Sequence, residues 1–129
     1  MARYLIDTDA FIDYLNGMPG ATALLSTLAN EGETLCLCDV VIAEVFSGIG
    51  SRPSPKAESL IAAAEFIPIS MEDAIRAGIW RYVYARQGRQ LSTTDTLVAA
   101  AAFQVGAIVI TADLNDYPMP EVSLLPLPR

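Results

Sequence analysis

The sequence predicts an α/β protein in which a parallel sheet is covered by helices on both faces. Short apolar runs alternate with longer helical segments along the whole chain, which is typical of repeated strand–helix–strand units. The 129 residues are 53% hydrophobic and 18% charged, a composition that supports a buried core. Neither a repeat nor a linker divides the chain, so we expect a single domain over residues 1–129.

The first half of the chain is predicted to contain two strands and three helices. The strands are the apolar runs at residues 4–7 and 34–38, and the helices are at 8–16, 21–29 and 40–49. Thr8 or Asp9 can cap the first helix, and the Gly-Met-Pro-Gly segment at 17–20 ends it. Asp39 is a candidate cap for the third helix.

The second half is predicted to contain three further strands and three further helices. The helices are at 56–65, 71–86 and 92–105, and the strands are at 66–69, 107–110 and 122–125. The Pro- and Ser-rich residues 50–55 form a loop, and 115–118 form a turn. Gly88 and Gly106 end the last two helices, and Pro126 ends the final strand.

The chain contains no histidine, and this excludes several classes of enzyme. Ser-His-Asp and Cys-His hydrolases and histidine-ligated zinc sites all need that side chain. The two cysteines, Cys36 and Cys38, lie on one face of a predicted strand, where we expect small core residues. Any hydrolysis must therefore depend on carboxylates, hydroxyls, Arg or Tyr, with a metal ion as the natural complement.

Four carboxylates lie at positions that packing alone does not explain. Asp7 and Asp113 each follow an apolar run, Glu44 lies within one, and Asp95 begins another. An isolated charge near a core costs several kcal/mol unless it is paired. Sites in parallel sheets form at the carboxyl ends of strands, where these acids could meet. Oxygen ligands of this kind select Mg²⁺ or Mn²⁺, which would assist phosphodiester hydrolysis.

Each acid also has an ordinary structural interpretation. Asp7 could cap the first helix, Asp95 could form a capping box with Ser92, and Asp113 could be a turn residue. Glu44 is hardest to explain in this way, because its helical neighbours are apolar.

Weaker candidates flank the four acids. Asp9 could assist the site or stabilise a helix start, and Asp116 could be a further metal ligand or a turn residue. Thr8 and Thr111 are placed to orient the acids or a water molecule.

The net charge of −7 argues against binding nucleic acid, whose phosphates attract Lys and Arg. Bound cations would cancel much of this charge, and six of the eight basic residues fall in two tracts, at 52–56 and 76–89. No apolar run approaches the length of a membrane span. The N-terminus reaches Asp7 too early for a signal peptide. We therefore expect a cytoplasmic protein.

Four segments resemble the successive motifs of a PIN domain. They are Leu-Ile-Asp-Thr-Asp at 5–9, Val-Ile-Ala-Glu-Val at 41–45, Ser-Thr-Thr-Asp-Thr-Leu-Val-Ala-Ala at 92–100 and Ile-Thr-Ala-Asp-Leu-Asn-Asp-Tyr at 110–117. Their order, and the chain length, are similar to those of the VapC toxins of type II bacterial toxin–antitoxin pairs.

The resemblance implies a three-layer fold with five parallel strands in the order 3-2-1-4-5. It implies a Mg²⁺- or Mn²⁺-dependent endoribonuclease that cuts RNA such as tRNA or rRNA. It also implies a homodimer and a VapB-like antitoxin that blocks the site and links the pair to operator DNA. The implied catalytic acids are Asp7, Glu44, Asp95 and Asp113, and the implied metal ligands are these four with Asp116. Many relatives have Asn at the fourth position, which leaves the division between Asp113 and Asp116 open.

Other chemistries remain open from the sequence. The Asp-x-Asp at Asp7 and Asp9 also fits an aspartate-based phosphotransferase or phosphatase, or a receiver-like phospho-acceptor domain. Both alternatives expect a lysine that holds the phosphate, and the only lysine is Lys56. A non-catalytic partner-binding module is a third alternative.

Overall fold

The computed structural model describes residues 1–129 and contains one sheet of five strands. The strands are β1 (Arg3–Ile6), β2 (Thr34–Cys38), β3 (Glu65–Ile67), β4 (Ile108–Thr111) and β5 (Ser123–Pro126). All neighbouring strands pair in parallel, in the order β3-β2-β1-β4-β5. The predicted fold class and the implied strand order are therefore confirmed.

Six helices connect the strands. They are α1 (Thr8–Leu15), α2 (Pro19–Asn30), α3 (Asp39–Ile49), α4 (Pro55–Ala63), α5 (Met71–Arg86) and α6 (Thr93–Val105). The chain moves outward from β1 to β3 through α1–α4 and returns to β4 through α5 and α6. Because parallel crossovers are right-handed, this reversal of direction places the two sets of helices on opposite faces of the sheet. None of the helices is both long and apolar enough to cross a membrane.

The core is centred on β1, β4 and α6. Leu5, Ile6, Val109 and Ile110 are fully buried, as expected for the inner strands of a sheet that is covered on both faces. The residues of α6 from Val98 to Ala102 are also fully buried, and four of them are alanines, which allow close packing. Burial raises the pKa of Cys36 and that of Cys38 to about 11, so both are inert core residues, as expected.

The ends of several elements differ from the prediction. Of the three caps that the sequence offered for α1, Asp7 is the one observed, and Thr8 and Asp9 lie within the helix. Asp39 is the first residue of α3, and its two carboxylate oxygens accept from the Val40 and Ile69 amides. Because the Ile69 amide is bonded to Asp39, β3 ends at Ile67 rather than continuing to 69. Pro126 belongs to β5, which is an edge strand and therefore tolerates the missing amide hydrogen.

Candidate functional site

An acidic cleft lies at the carboxyl ends of β1 and β4. Asp7 directly follows β1, and its amide donates to the Ile110 carbonyl of β4 at 3.0 Å. The cleft has a volume of about 240 Å³ and is lined by Asp7, Thr8, Asp9, Ile12, Glu44, Asp95 and Asp116. Of the four principal acids predicted from the sequence, the fold thus brings three together and adds Asp116 and Asp9.

Asp7 combines a structural role with a place in the cleft. Its Oδ1 accepts from the Thr8 amide at 2.8 Å, which caps α1, and its Oδ2 accepts from the Tyr117 hydroxyl at 2.6 Å. The residue is only 6% exposed. Burial raises the pKa of Asp7, whereas the hydrogen bonds from Tyr117 and Thr8 lower it. Capping and participation in the site therefore coexist in one carboxylate.

Tyr117 is a site residue that the sequence reasoning did not identify. The ring is 3% exposed and its hydroxyl donates to Asp7. Burial and the adjacent carboxylate raise the pKa of Tyr117 far above its ordinary value, so it remains a protonated donor. The available signal was an aromatic hydroxyl next to Asp116 in a chain without histidine, since such a chain has few other buried donors.

Glu44 projects from α3 towards the cleft, and its environment differs from the one expected. Val41 and Val45 face the core, whereas Glu44 itself is exposed. The Thr8 hydroxyl donates to Glu44 Oε1 at 2.6 Å, which confirms that Thr8 orients an acid. Glu44 is therefore held at the rim of an open cleft and is not drawn into the protein interior.

Asp95 lies in the first turn of α6. Its amide donates to the Ser92 hydroxyl at 3.0 Å, and Ser92 thereby caps the helix. The pKa of Asp95 is raised to about 6, first by burial and then by the charges of Asp116, Asp7 and Glu44, whereas the interaction with Ser92 lowers it. This mutual repulsion is the electrostatic consequence of placing several acids in one cleft.

Asp113 and Asp116 have different environments: only Asp116 lines the cleft. Asp113 is exposed and does not line the cleft; its Oδ1 accepts from the Asn115 amide at 3.2 Å and caps the short 3₁₀ helix Leu114–Asp116. Asp116 lines the cleft, and its pKa is raised by burial and by neighbouring Asp113. Asp113 thus shapes the turn that presents Asp116.

Asp9 connects the start of α1 to the end of β4. Its Oδ2 accepts from the Ala112 amide at 3.0 Å and from the Thr111 hydroxyl at 3.3 Å. Its other oxygen, Oδ1, is buried without a hydrogen-bond partner. Thr111 orients this acid, as the sequence suggested, and Asp9 fixes the spacing between the segments that carry Asp7 and Asp116.

No basic side chain pairs with the acids of the cleft. The three ion pairs of the molecule lie elsewhere: Arg3–Glu65, Arg76–Glu72 and Arg129–Asp13. In the two basic tracts, four of the six side chains donate to main-chain carbonyls: Arg52, Lys56, Arg81 and Arg89. Lys56 donates to the Tyr14 carbonyl and does not line the cleft. The cleft therefore lacks the lysine that the phosphotransferase and receiver alternatives need to hold a phosphate.

The donors of the cleft fit a hard divalent cation. They are carboxylate oxygens with a threonine hydroxyl, the ligand type that Mg²⁺ and Mn²⁺ prefer. No three acidic or cysteine side chains already have the mutual spacing of a formed metal site. The cleft is thus an open set of donors without an ion pair, and its side chains would have to move closer together to coordinate an ion.

Fold and cleft together define an α/β protein with an acidic site at the carboxyl edge of a five-stranded parallel sheet. The family model for the PIN domain matches residues 4–118. The chain therefore belongs to the PIN-domain family.

Relatives similar to this chain over most of its length carry VapC names. Ribonuclease VapC19 of Mycobacterium tuberculosis is 30% identical over 115 residues, which cover 89% of this chain and 92% of the relative. The tRNA(fMet)-specific endonuclease VapC of Shigella flexneri is 23% identical over 91% of both chains. Among solved structures, VapBC2 of Rickettsia felis bound to a promoter DNA fragment superposes with a TM-score of 0.85 at 20% identity, covering 98% of this chain and 99% of that one.

Proposed function

We propose that this chain is a metal-dependent endoribonuclease that hydrolyses RNA phosphodiester bonds as the toxin of a VapBC-type pair. The observation that carries the proposal is the cleft in which Asp7, Glu44, Asp95 and Asp116 converge without a basic partner. A relative that is 30% identical over 89% of this chain is named a ribonuclease.

The proposed ligands of Mg²⁺ or Mn²⁺ are Asp7, Asp95, Glu44 and Asp116. When bound, such a cation offsets charge on a phosphate and makes water a better nucleophile. Tyr117 holds Asp7 in a fixed orientation, and Thr8 does the same for Glu44. We assign Asp113 the role of positioning Asp116, because its own carboxylate caps the turn.

The proposed partners are inferred from the similarity to VapC relatives and VapBC complexes. A VapB-like antitoxin would cover the cleft and connect the pair to operator DNA, since the Rickettsia felis complex is described as bound to promoter DNA. The RNA is proposed to be tRNA or rRNA, and tRNA is the first substrate to test because a relative is named for tRNA(fMet). A homodimer and a cytoplasmic location complete the proposal.

The test is cleavage of a tRNA and rRNA mixture by the purified chain, freed of any partner. Cleavage is expected with Mg²⁺ or Mn²⁺ and is expected to stop with a chelator. Asp7→Ala and Asp95→Ala should abolish it while leaving the circular dichroism spectrum unchanged, and Glu121→Ala serves as an acidic control, because Glu121 is exposed and lies outside the cleft. An Asp95→Ala variant that cleaves at the normal rate would overturn the assignment of that residue.

A paired comparison separates the two acids of the last motif. Asp116→Ala is expected to reduce cleavage as severely as Asp95→Ala, because Asp116 lines the cleft. Asp113→Asn keeps the cap of the 3₁₀ helix and is expected to retain most activity, since an asparagine oxygen can accept from the Asn115 amide. If Asp113→Asn lost cleavage and Asp116→Ala retained it, Asp113 and not Asp116 would be the metal ligand.

A further inference from the structure

The loop between α5 and α6 lies beside the acidic cleft and carries one arginine, Arg89. Its Nη2 donates to the main-chain carbonyl of Asn115, the residue that precedes Asp116. At the end of the loop Ser92 caps α6, whose first turn carries Asp95. Arg89 therefore connects the two segments that bring Asp95 and Asp116 to the cleft.

The backbone of this loop fixes the position of Arg89. Gly88 turns the chain after α5 with a φ of +78°, and the Arg89 amide donates to the Tyr84 carbonyl at 2.9 Å. The Arg81 side chain holds the other end of the loop by donating from Nε to the Leu91 carbonyl at 3.0 Å. Because Arg89 is anchored through both its backbone and its guanidinium, binding a ligand costs it little further ordering.

Most of the hydrogen-bonding capacity of Arg89 remains free. A guanidinium has five N–H donors, and the Asn115 carbonyl accepts from one nitrogen only. The residue is exposed, and it belongs to none of the ion pairs of the molecule. Burial and the charge of Asp113 raise the pKa of Asp116, and the positive charge of Arg89 partly offsets this rise. Arg89 thus presents free donors and a positive charge next to a proposed metal ligand.

The other seven of the eight basic residues have contacts elsewhere. Three of them form the ion pairs with carboxylates: Arg3, Arg76 and Arg129. Three donate to main-chain carbonyls: Arg52, Lys56 and Arg81. Arg86 lies on the Tyr82 ring at 3.8 Å. Only Arg89 forms a hydrogen bond to a residue that adjoins an acid of the cleft.

A strand of RNA that reaches the cleft must bring several phosphates close to its acids. A bound cation offsets the charge of the phosphate that it contacts, but the neighbouring phosphates need another positive group. A guanidinium meets this need, because its planar N–H groups match two phosphate oxygens at once. Arg89 is the basic residue that lies where such a phosphate would pass.

We propose that Arg89 binds an RNA phosphate adjacent to the one that is cleaved, on the Asp116 side of the cleft. The inference rests on the proposed ribonuclease function, because the ligand is the substrate RNA. A contact with a phosphate that does not react is equally strong before and during the chemical step. Loss of Arg89 should therefore weaken RNA binding and leave the rate of the bound complex unchanged.

The first test measures binding without cleavage. The inactive Asp95→Asn chain is titrated with fluorescent tRNA in Mg²⁺ at several salt concentrations, alone and combined with Arg89→Gln or Arg3→Gln. Arg3 is the matched control, because it is an exposed arginine at the start of β1, at the end of the sheet opposite the cleft. Both substitutions remove one positive charge.

Arg89→Gln should raise the dissociation constant about threefold to thirtyfold. It should also flatten the dependence of log affinity on log salt concentration by about 0.7 to 0.9, the contribution of one phosphate contact. Arg3→Gln should leave both quantities unchanged. Equal effects of the two substitutions would overturn the proposal, because they would reflect net charge alone. This comparison does not use cleavage, so its failure is distinct from a failure of the ribonuclease proposal.

The second test uses single-turnover cleavage of tRNA by the otherwise unmodified chain. Arg89→Gln should raise the enzyme concentration that gives half the maximal rate, and it should leave the maximal rate unchanged, since Asp113 still caps the turn that carries Asp116. A lower maximal rate at an unchanged half-saturating concentration would mean that Arg89 only positions Asp116, and the phosphate contact would be wrong.

Arg89→Lys separates charge from the shape of the guanidinium. A lysine keeps one positive charge, so this variant should recover the salt dependence of the wild type even where its affinity is lower. A lysine variant with the flattened salt dependence of Arg89→Gln would contradict a phosphate contact at this position.

Discussion

The hydrogen bond from Tyr117 to Asp7 decides how readily the buried carboxylate ionises. Burial raises the pKa of Asp7, and the Tyr117 hydroxyl is the strongest influence that lowers it. Tyr117→Phe removes this donor and should raise the pKa of Asp7 further. If cleavage needs the ionised acid, the acidic limb of the pH–rate profile should move to higher pH, with a loss in stability of about 1 kcal/mol.

The control for this change is Tyr4→Phe, because the Tyr4 hydroxyl forms no hydrogen bond in the structure and the residue is only partly buried. It should leave the profile in place. A Tyr117→Phe enzyme whose rate falls equally at every pH would indicate that the hydroxyl positions Asp7 without tuning its ionisation.

The raised pKa of Asp95 implies that its ionised carboxylate destabilises the metal-free fold at neutral pH. Its pKa is about 6 in the folded protein against an ordinary value of 3.8, so the folded state binds the proton more tightly than the unfolded state. The free energy of unfolding therefore falls as pH rises through this interval. Asp95→Asn removes the fall and should stabilise the metal-free protein near pH 7.5 by about 1–2 kcal/mol, after discounting for its half-exposed position.

Urea denaturation of both proteins across the pH range checks this expectation. The stability advantage of the variant should vanish below pH 3.8, the ordinary pKa of an aspartate. At such pH values Asp95 is protonated in both the folded and the unfolded state. Saturating Mg²⁺ should also remove it, because a bound cation stabilises the ionised acid. A variant that is less stable than wild type at neutral pH would show that Asp95 is compensated by groups other than a metal.

At the scale of single residues, the sequence predicted the identity of the acids better than their environments. Asp7 is buried as expected, but Glu44 and Asp113 are exposed. Helical periodicity shows which residues share a face with Val41, but it does not show whether the edge of that face borders a cleft. Tyr117 escaped notice because its contact with Asp7 joins residues 110 positions apart, and no local pattern encodes such a distance.

At the scale of elements, α6 carries Asp95 into the cleft and its start is fixed by one cap. Ser92 accepts from the Asp95 amide, so Ser92→Ala should cost about 1 kcal/mol of stability and let the first turn of α6 fray. Cleavage should fall because Asp95 lies in that turn. Ser92→Thr keeps the capping oxygen and should retain both properties.

A second cap in the same fold provides a matched control. Ser70 caps α5 through a capping box with Asp73, and neither residue lines the cleft. Ser70→Ala should lower stability about as much as Ser92→Ala while leaving the cleavage rate unchanged. Equal losses of activity in both variants would show that global stability, and not the position of Asp95, limits the reaction.

Most elements could be predicted because their signals are local. The apolar runs gave all five strands, and the glycines at 17, 88 and 106 follow helix ends with positive φ. The order of the strands, by contrast, could not be predicted from local signals, and only the resemblance to a known family implied it. The end of β3 was misplaced because the Asp39 carboxylate, 30 residues away, binds the Ile69 amide.

At the scale of the whole molecule, a net charge of −7 is concentrated where the proposed cation would bind. A ligand that binds only the folded state stabilises it by about 1.4 kcal/mol at ten times its dissociation constant. Titration with Mg²⁺ or Mn²⁺ at constant ionic strength should therefore raise the melting temperature by roughly 2–6 °C. Asp7→Asn should lose most of this increase, whereas Glu121→Gln, at an exposed position outside the cleft, should retain it. An equal rise in melting temperature for wild type and Asp7→Asn would mean that the cations screen the negative charge of the whole surface. The proposal of a specific metal site in the cleft would then be wrong.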